Sequence, residues 1–166
     1  MLPTRLAKAG QTPIECWLGF YDFSKSHGPW LGPLGHVLSR SRITHVGPIL
    51  KLGTGELAIT ITTGGAAVHR PEVVEKHNPL IDSLYLGHWS IDPDELTNLA
   101  INFTDAKPID ILFHSLVGRF IGLTPPRICT TFASRVFGLP LEWYPATLYR
   151  RLKNDYDSAM WTGPRR

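Results

Sequence analysis

Two residues in this chain have the chemistry of a nucleophile and its base, provided the fold brings them together. Cys129 opens "CTTFASRVFG", where Phe132, Ala133 and Val136 form an apolar stripe after the Pro125-Pro126 stop, so a helix is expected to begin near Cys129 and end at Gly138. A helix start offers free N–H groups and a positive partial charge, which favour thiolate over thiol. The same N–H groups can hold the oxyanion that forms when sulfur attacks a carbonyl. His45 lies in "RITHVGPIL", a short apolar run that reads as a buried strand, and Gly47 beside it lets a neighbouring helix come close. A thiolate paired with imidazolium is a nucleophile activated near neutral pH. Taken singly, each residue has a plainer reading. Free cysteine is often a small buried hydrophobe, and a strand histidine is often a hydrogen-bonded structural residue. The pair in this context points to nucleophilic catalysis.

The elements that must position the pair follow from periodicity. "PIECWLGFYDF" is rich in β-branched and aromatic residues and reads as a strand leading into the turn-rich "SKSHGPW". "LGHVLSRS" suggests a short helix, weakened by its glycine. After "RITHVGPIL" comes a turn at "GTGE" and then "LAITITT", in which Leu57, Ile59 and Ile61 alternate with Ala58, Thr60 and Thr62. Gly64 and Gly65 close that strand, and "AAVHRP" is expected to pair back as a hairpin arm. Downstream the period changes. "DPDELTNLAINF" favours a helix with Leu96, Leu99 and Ala100 on its apolar side, "KPIDILFHSLVGRFIG" a second ending at Gly122, and "PATLYRRLKN" a last one opening near Pro145. Strands followed by helices predict an α+β domain, an antiparallel sheet with helices packed on one face.

Length and composition bound the rest. A chain of 166 residues with 43% apolar and 19% charged residues suits one ordered domain over 1–166, with residues 1–12 as an N-terminal arm and 154–166 as a basic tail. The net charge of +3 is mild, and the basic cluster Arg150, Arg151, Lys153, Arg165 and Arg166 reads as a solvated face without the interleaved aromatics of a strand binder. Nucleic acid is therefore not the expected partner. No apolar run approaches the roughly 20 residues of a membrane helix, and the first ten residues lack the apolar core of a secretory signal. Cytoplasmic synthesis without a membrane span is the expectation. With two cysteines there is no disulfide framework, and no Cys/His group has zinc spacing. His69, His77, His88 and His114 show no metal pattern, so neither metal nor organic cofactor is expected. Cys16 with Trp17 sits in a strand and reads as core, while Glu72 and Glu75 near His77 read as a charged turn. "HGPWLGPLG" and "LGHWSIDP" read as aromatic, Pro/Gly-rich loops.

"ITHVGPIL" and "ICTTFASRVFGLPLEWYPATLYRRL" resemble the histidine strand and the cysteine helix of the circularly permuted papain-like thiol amidases and peptidases. In that family histidine precedes cysteine, with Ser-His-Val-Gly-Ile on the strand and Asn-Cys-Ser at the helix start. Thr44, Pro48 and Thr130 depart from this pattern. The resemblance implies a papain-like fold with Cys129 and His45 as catalytic pair and no cofactor. It also implies a third polar group on the next strand to orient the imidazole. Thr60 and Thr62 stand there in place of the usual carboxylate, amide or histidine. Tyr21 is implied as a second oxyanion donor, because phenols upstream of the histidine occur in similar enzymes.

The function expected on these grounds is hydrolysis of an amide or ester bond through a thioester, with cell-wall peptides as the first substrate class. Reaching a wall without an export signal would mean delivery in a phage particle or as an injected effector. The alternative is a papain-like structural or interaction protein, such as a phage tail component, that kept the fold after losing a triad carboxylate.

Overall fold

The computed structural model describes residues 13–25, 33, 36–37, 40–62, 65–90, 93–101, 103, 121–123 and 128–160, the main chain alone at 62, 93–95, 97 and 156–160. Five strands alternate with short helices in the order β1 (Ile14–Tyr21), β2 (His45–Leu52), β3 (Gly55–Thr62), β4 (Gly65–His69), α1 (Pro71–Glu75), β5 (Leu80–Trp89), α2 (Pro93–Ile101), α3 (Cys129–Phe137) and α4 (Pro145–Met160). The strands form one sheet in the order β4-β3-β2-β1-β5, with every neighbouring pair antiparallel. This is an α+β fold. The β2–β3 hairpin turns at Gly53 and Thr54 where Leu52 meets Gly55. α1 then carries the chain from the β4 edge to the β5 edge.

Period-two alternation gives the sheet two apolar faces. Cys16, Leu18 and Phe20 of β1, Val46 and Leu50 of β2, and Ile59 and Ile61 of β3 share one cluster with Leu96 and Ala100 of α2, Phe132, Ala133, Val136 and Phe137 of α3, and Leu148 and Leu152 of α4. On the other face a smaller cluster joins Tyr21, Phe23, Ile49 and Ala58 to Val74 of α1, with Trp17 and Leu80 against it. Helix α3 is capped by its own Thr131, whose hydroxyl accepts the N–H of Ile128 and donates to the carbonyl of Ile128, each at 2.8 Å. Gly138 ends the helix with φ +62°, the left-handed conformation that glycine adopts without a Cβ penalty.

Several expectations change. Helices lie on both faces of the sheet, because the Glu72–Glu75 segment is not a turn but α1, and Val74 seals the second face. "LGHW" is not a loop but the end of β5, a ten-residue strand whose mixed polar and apolar residues hid it. Leu99 is exposed, while Leu96 and Ala100 carry the apolar side of α2. The basic tail expected over 154–166 begins as helix, since α4 runs to Met160. Of "LGHVLSRS", His36 and Val37 are helical, and most of "KPIDILFHSLVGRFIG" lies outside the described residues. No helix among the described residues is long and apolar enough to cross a membrane.

Candidate functional site

Cys129 is the first residue of α3. The main-chain N–H groups of Val46, Thr130 and Cys129 itself are directed at the sulfur and pull its acidity up. Burial opposes them and wins, because the side chain leaves only 7% of its residue surface exposed. The thiol is pushed up to about 11. The thiolate expected from the helix start is therefore not the resting form of this closed site. Cys16 is free and buried like Cys129, but only one N–H, that of Trp89, offsets its burial and its thiol rises to about 12.

Val46 follows His45 directly, so the sulfur of Cys129 meets the main chain one residue beyond the imidazole. The sheet leaves room there. β2 pairs with β1 from His45 to Lys51, but its ladder with β3 begins only at Ile49. β3 stays close at Gly47, where an added Cβ would stand 2.3 Å from the carbonyl oxygen of Ile59, so no other residue fits. Cys129 itself packs in the larger cluster with Val46 and Ile59, on the face of the sheet that carries α3. The His45 side chain alternates with Val46 and joins the face of Tyr21 and Phe23.

That face surrounds the imidazole with aromatic rings. Phe23 stacks on His45 with ring centres 4.0 Å apart and planes at 17°, and only 1% of His45 is exposed. Tyr21 is its cross-strand partner, at 6.3 Å between ring centres. The Tyr21 hydroxyl lies over Gly19, 2.7 Å from where a Cβ would stand, and Gly19 pairs with Gly47. Phenol and imidazole therefore lean over a floor made of two glycines. Burial, with a smaller contribution from the charge of Glu75, pushes the phenol well above its ordinary value, so it is a donor at any working pH. That hydroxyl and the hydroxyl of Thr130 are buried without a hydrogen bond among the described residues.

Thr60 lies on β3, on the same face as His45 by alternation. Continued past Ile49–Ala58, the β2–β3 register would set Thr60 opposite Gly47 and Thr62 opposite His45. The Thr60 hydroxyl donates to the carbonyl of Ala67 at 3.5 Å, which leaves its oxygen lone pairs as acceptors. The side chain of Thr62 lies outside the described residues.

Sequence reasoning missed two neighbours. In the sequence Phe23 reads only as part of a strand, although its place two residues after Tyr21 puts it on the same face. Asp22 is 6% exposed and ties the two ends of the β1–β2 connection together. It accepts from the N–H of Ser24 and from Nε2 of His36, each at 3.0 Å, and lies 3.5 Å from Nε of Arg42. Burial raises its carboxyl, but the hydrogen bonds from Ser24 and His36 and the charge of His36 outweigh that and hold it at about 2. Among the described residues no group of His, Cys, Asp and Glu is arranged to hold a metal. No protein family, curated protein or solved structure matches the chain.

Proposed function

We propose that this chain is a thiol hydrolase of the permuted papain-like type, with Cys129 as nucleophile and His45 as its base, acting on an amide or ester bond. One observation carries the reading: the Cys129 sulfur is met by the N–H groups of Cys129 and Thr130 at the start of α3 and by that of Val46, the residue after buried His45, whereas Cys16 is met by one N–H. In the first step the sulfur bonds to the carbonyl carbon while its proton passes to the imidazole, and the oxyanion takes the N–H groups at the start of α3. The tetrahedral carbon then expels the amine or alcohol, which takes the proton back from His45 and leaves a thioester. Water attacks the thioester with His45 again accepting a proton, the thiol re-forms, and the carboxylic acid departs. In this reading Tyr21 would donate to the oxyanion, and Thr60 or Thr62 would accept from the imidazole nitrogen that faces away from sulfur. Peptides of a bacterial wall are the substrate class that we rank first, through the resemblance alone.

A second reading has its own observation. Both reactive groups are sealed, and the thiol sits at about 11, as suits a structural protein that has kept the fold. A fluorescent panel of wall-peptide amides and simple activated esters separates the two. Turnover that is lost in Cys129→Ala and kept in Cys16→Ala supports the hydrolase; equal residual rates in both variants favour the structural protein.

A further inference from the structure

The aromatic ring on His45 belongs to a connected set of contacts that has no place in the hydrolytic steps. Phe23 covers one face of the imidazole in parallel contact at 4.0 Å, and both rings are buried. With Phe23 on one face of the ring and the whole of His45 only 1% exposed, a substrate reaches its nitrogens only if the cover over them moves. What holds Phe23 is visible on both sides of it. Its own N–H donates to the Thr44 hydroxyl at 2.8 Å, next to His45 in sequence. Asp22, directly before it, gives its N–H to the carbonyl of Pro79 and collects Ser24, His36 and Arg42 on its carboxylate. Ser24 and Arg42 come from the two ends of the connection between β1 and β2 and His36 from within it, and one carboxylate gathers the three.

We propose that Phe23 is a gate over the imidazole of His45, held shut by Asp22, and that a substrate reaches the site only after the ring has swung aside. The space the ring fills is bordered by Tyr21, Ile49, Ala58 and Val74, so the gate closes by burying apolar surface and opens at the cost of exposing it. Asp22 adds direction. Replacing its carboxylate by an amide removes the charge that draws Arg42 while keeping the shape. The purpose of the gate rests on the hydrolase reading; its test does not.

Diethyl pyrocarbonate modifies accessible neutral imidazole, and peptide mass spectrometry reads each of the seven histidines separately. In the full-length protein, His45 is expected to be the slowest to react. Phe23→Ala is expected to raise its rate about 10-fold or more, and Asp22→Asn to raise it in the same direction, as local opening becomes easier. Alkylation of buried Cys16, measured in the same samples, stays unchanged if the opening is local. Unchanged His45 labelling in both variants overturns the gate, and so does a rise matched by Cys16, which would be general loosening. Faster His45 labelling with no hydrolysis of any amide or ester upholds the gate and removes the hydrolase reading. Hydrolysis by a wild-type protein whose His45 already labels as fast as exposed His69 does the reverse.

Discussion

At Cys129 two opposing effects act on one atom, and their balance sets what the residue can do. Three N–H groups favour the thiolate, burial favours the thiol, and the thiol prevails at about 11 against an ordinary value of 9.0. A raised thiol in the folded chain stabilises it fully below the unfolded value, and that contribution fades as pH rises from about 9 toward 11. Thermal unfolding of wild type should therefore lose ground across that window relative to Cys129→Ala, which has no thiol to ionise; parallel curves would show that burial does not govern the group. Thr130 carries a different imbalance, a buried hydroxyl with no partner among the described residues. Thr130→Val keeps the shape and removes the orphan, and should leave stability equal or raise it by about 1 kcal/mol in denaturant unfolding. A loss of more than that would mean that the hydroxyl has a bond in solution. Replacing Thr60 or Thr62 by valine should cut turnover roughly 10-fold at whichever residue orients His45, about 1.4 kcal/mol of transition-state stabilisation.

At the scale of elements, the site depends on how β2 leaves β3. Gly47 lets the carbonyl of Ile59 approach to where a Cβ would stand, and Gly47→Ala must push the two strands apart. Overpacking of backbone costs about 1–3 kcal/mol, and the shift would displace the Val46 N–H from sulfur. Loss of both stability and activity is expected from this one methyl group. The Asp22 tie is a second element-level feature. Its carboxyl is held at about 2, below the ordinary value of 3.8, so its contribution is present above the unfolded value and is lost as pH falls from about 4 through 2. That contribution is of order 2 kcal/mol. Acid unfolding of Asp22→Asn should consequently be flatter than that of wild type between pH 4 and 2, while the same slope in both would remove Asp22 as a determinant. Strong local signals made some elements legible: the Leu57-Ile59-Ile61 alternation gave β3, and the Pro-Pro stop and Gly138 bracketed α3. β5 was hidden because an edge strand carrying Asp82, Ser83, Gly87 and His88 has no single apolar phase.

Across the whole molecule, the two halves of the proposed site come from different layers. Cys129 rides on a helix buried almost all round, whereas His45 lies on a central strand flanked by β1 and β3. The larger core holds these layers in register, with Phe132 packed against Phe103 and Phe137 against Trp89, each at 5.3 Å between ring centres. Phe132→Ala should cost about 3–5 kcal/mol and loosen the position of Cys129 with it. A smaller loss of stability with unaltered turnover would show that the helix is positioned from elsewhere. Residue types and element order could suggest which groups meet. They could not reveal that Phe23 seals the imidazole or that burial outweighs the helix end at Cys129. Both effects arise from contacts between residues distant in sequence or from the depth of the assembled core.

The destination of an activated acyl group tests Cys129 as nucleophile most directly. Full-length protein mixed with an activated ester and quenched within the first turnover should carry one acyl group on Cys129 by peptide mass spectrometry, and none on Cys16. His45→Ala should slow that acylation at least about 100-fold, as removal of a general base does. Acyl transfer to Cys129 at the same rate with and without His45, or no adduct on Cys129 under conditions where the ester is turned over, would contradict the proposed pair.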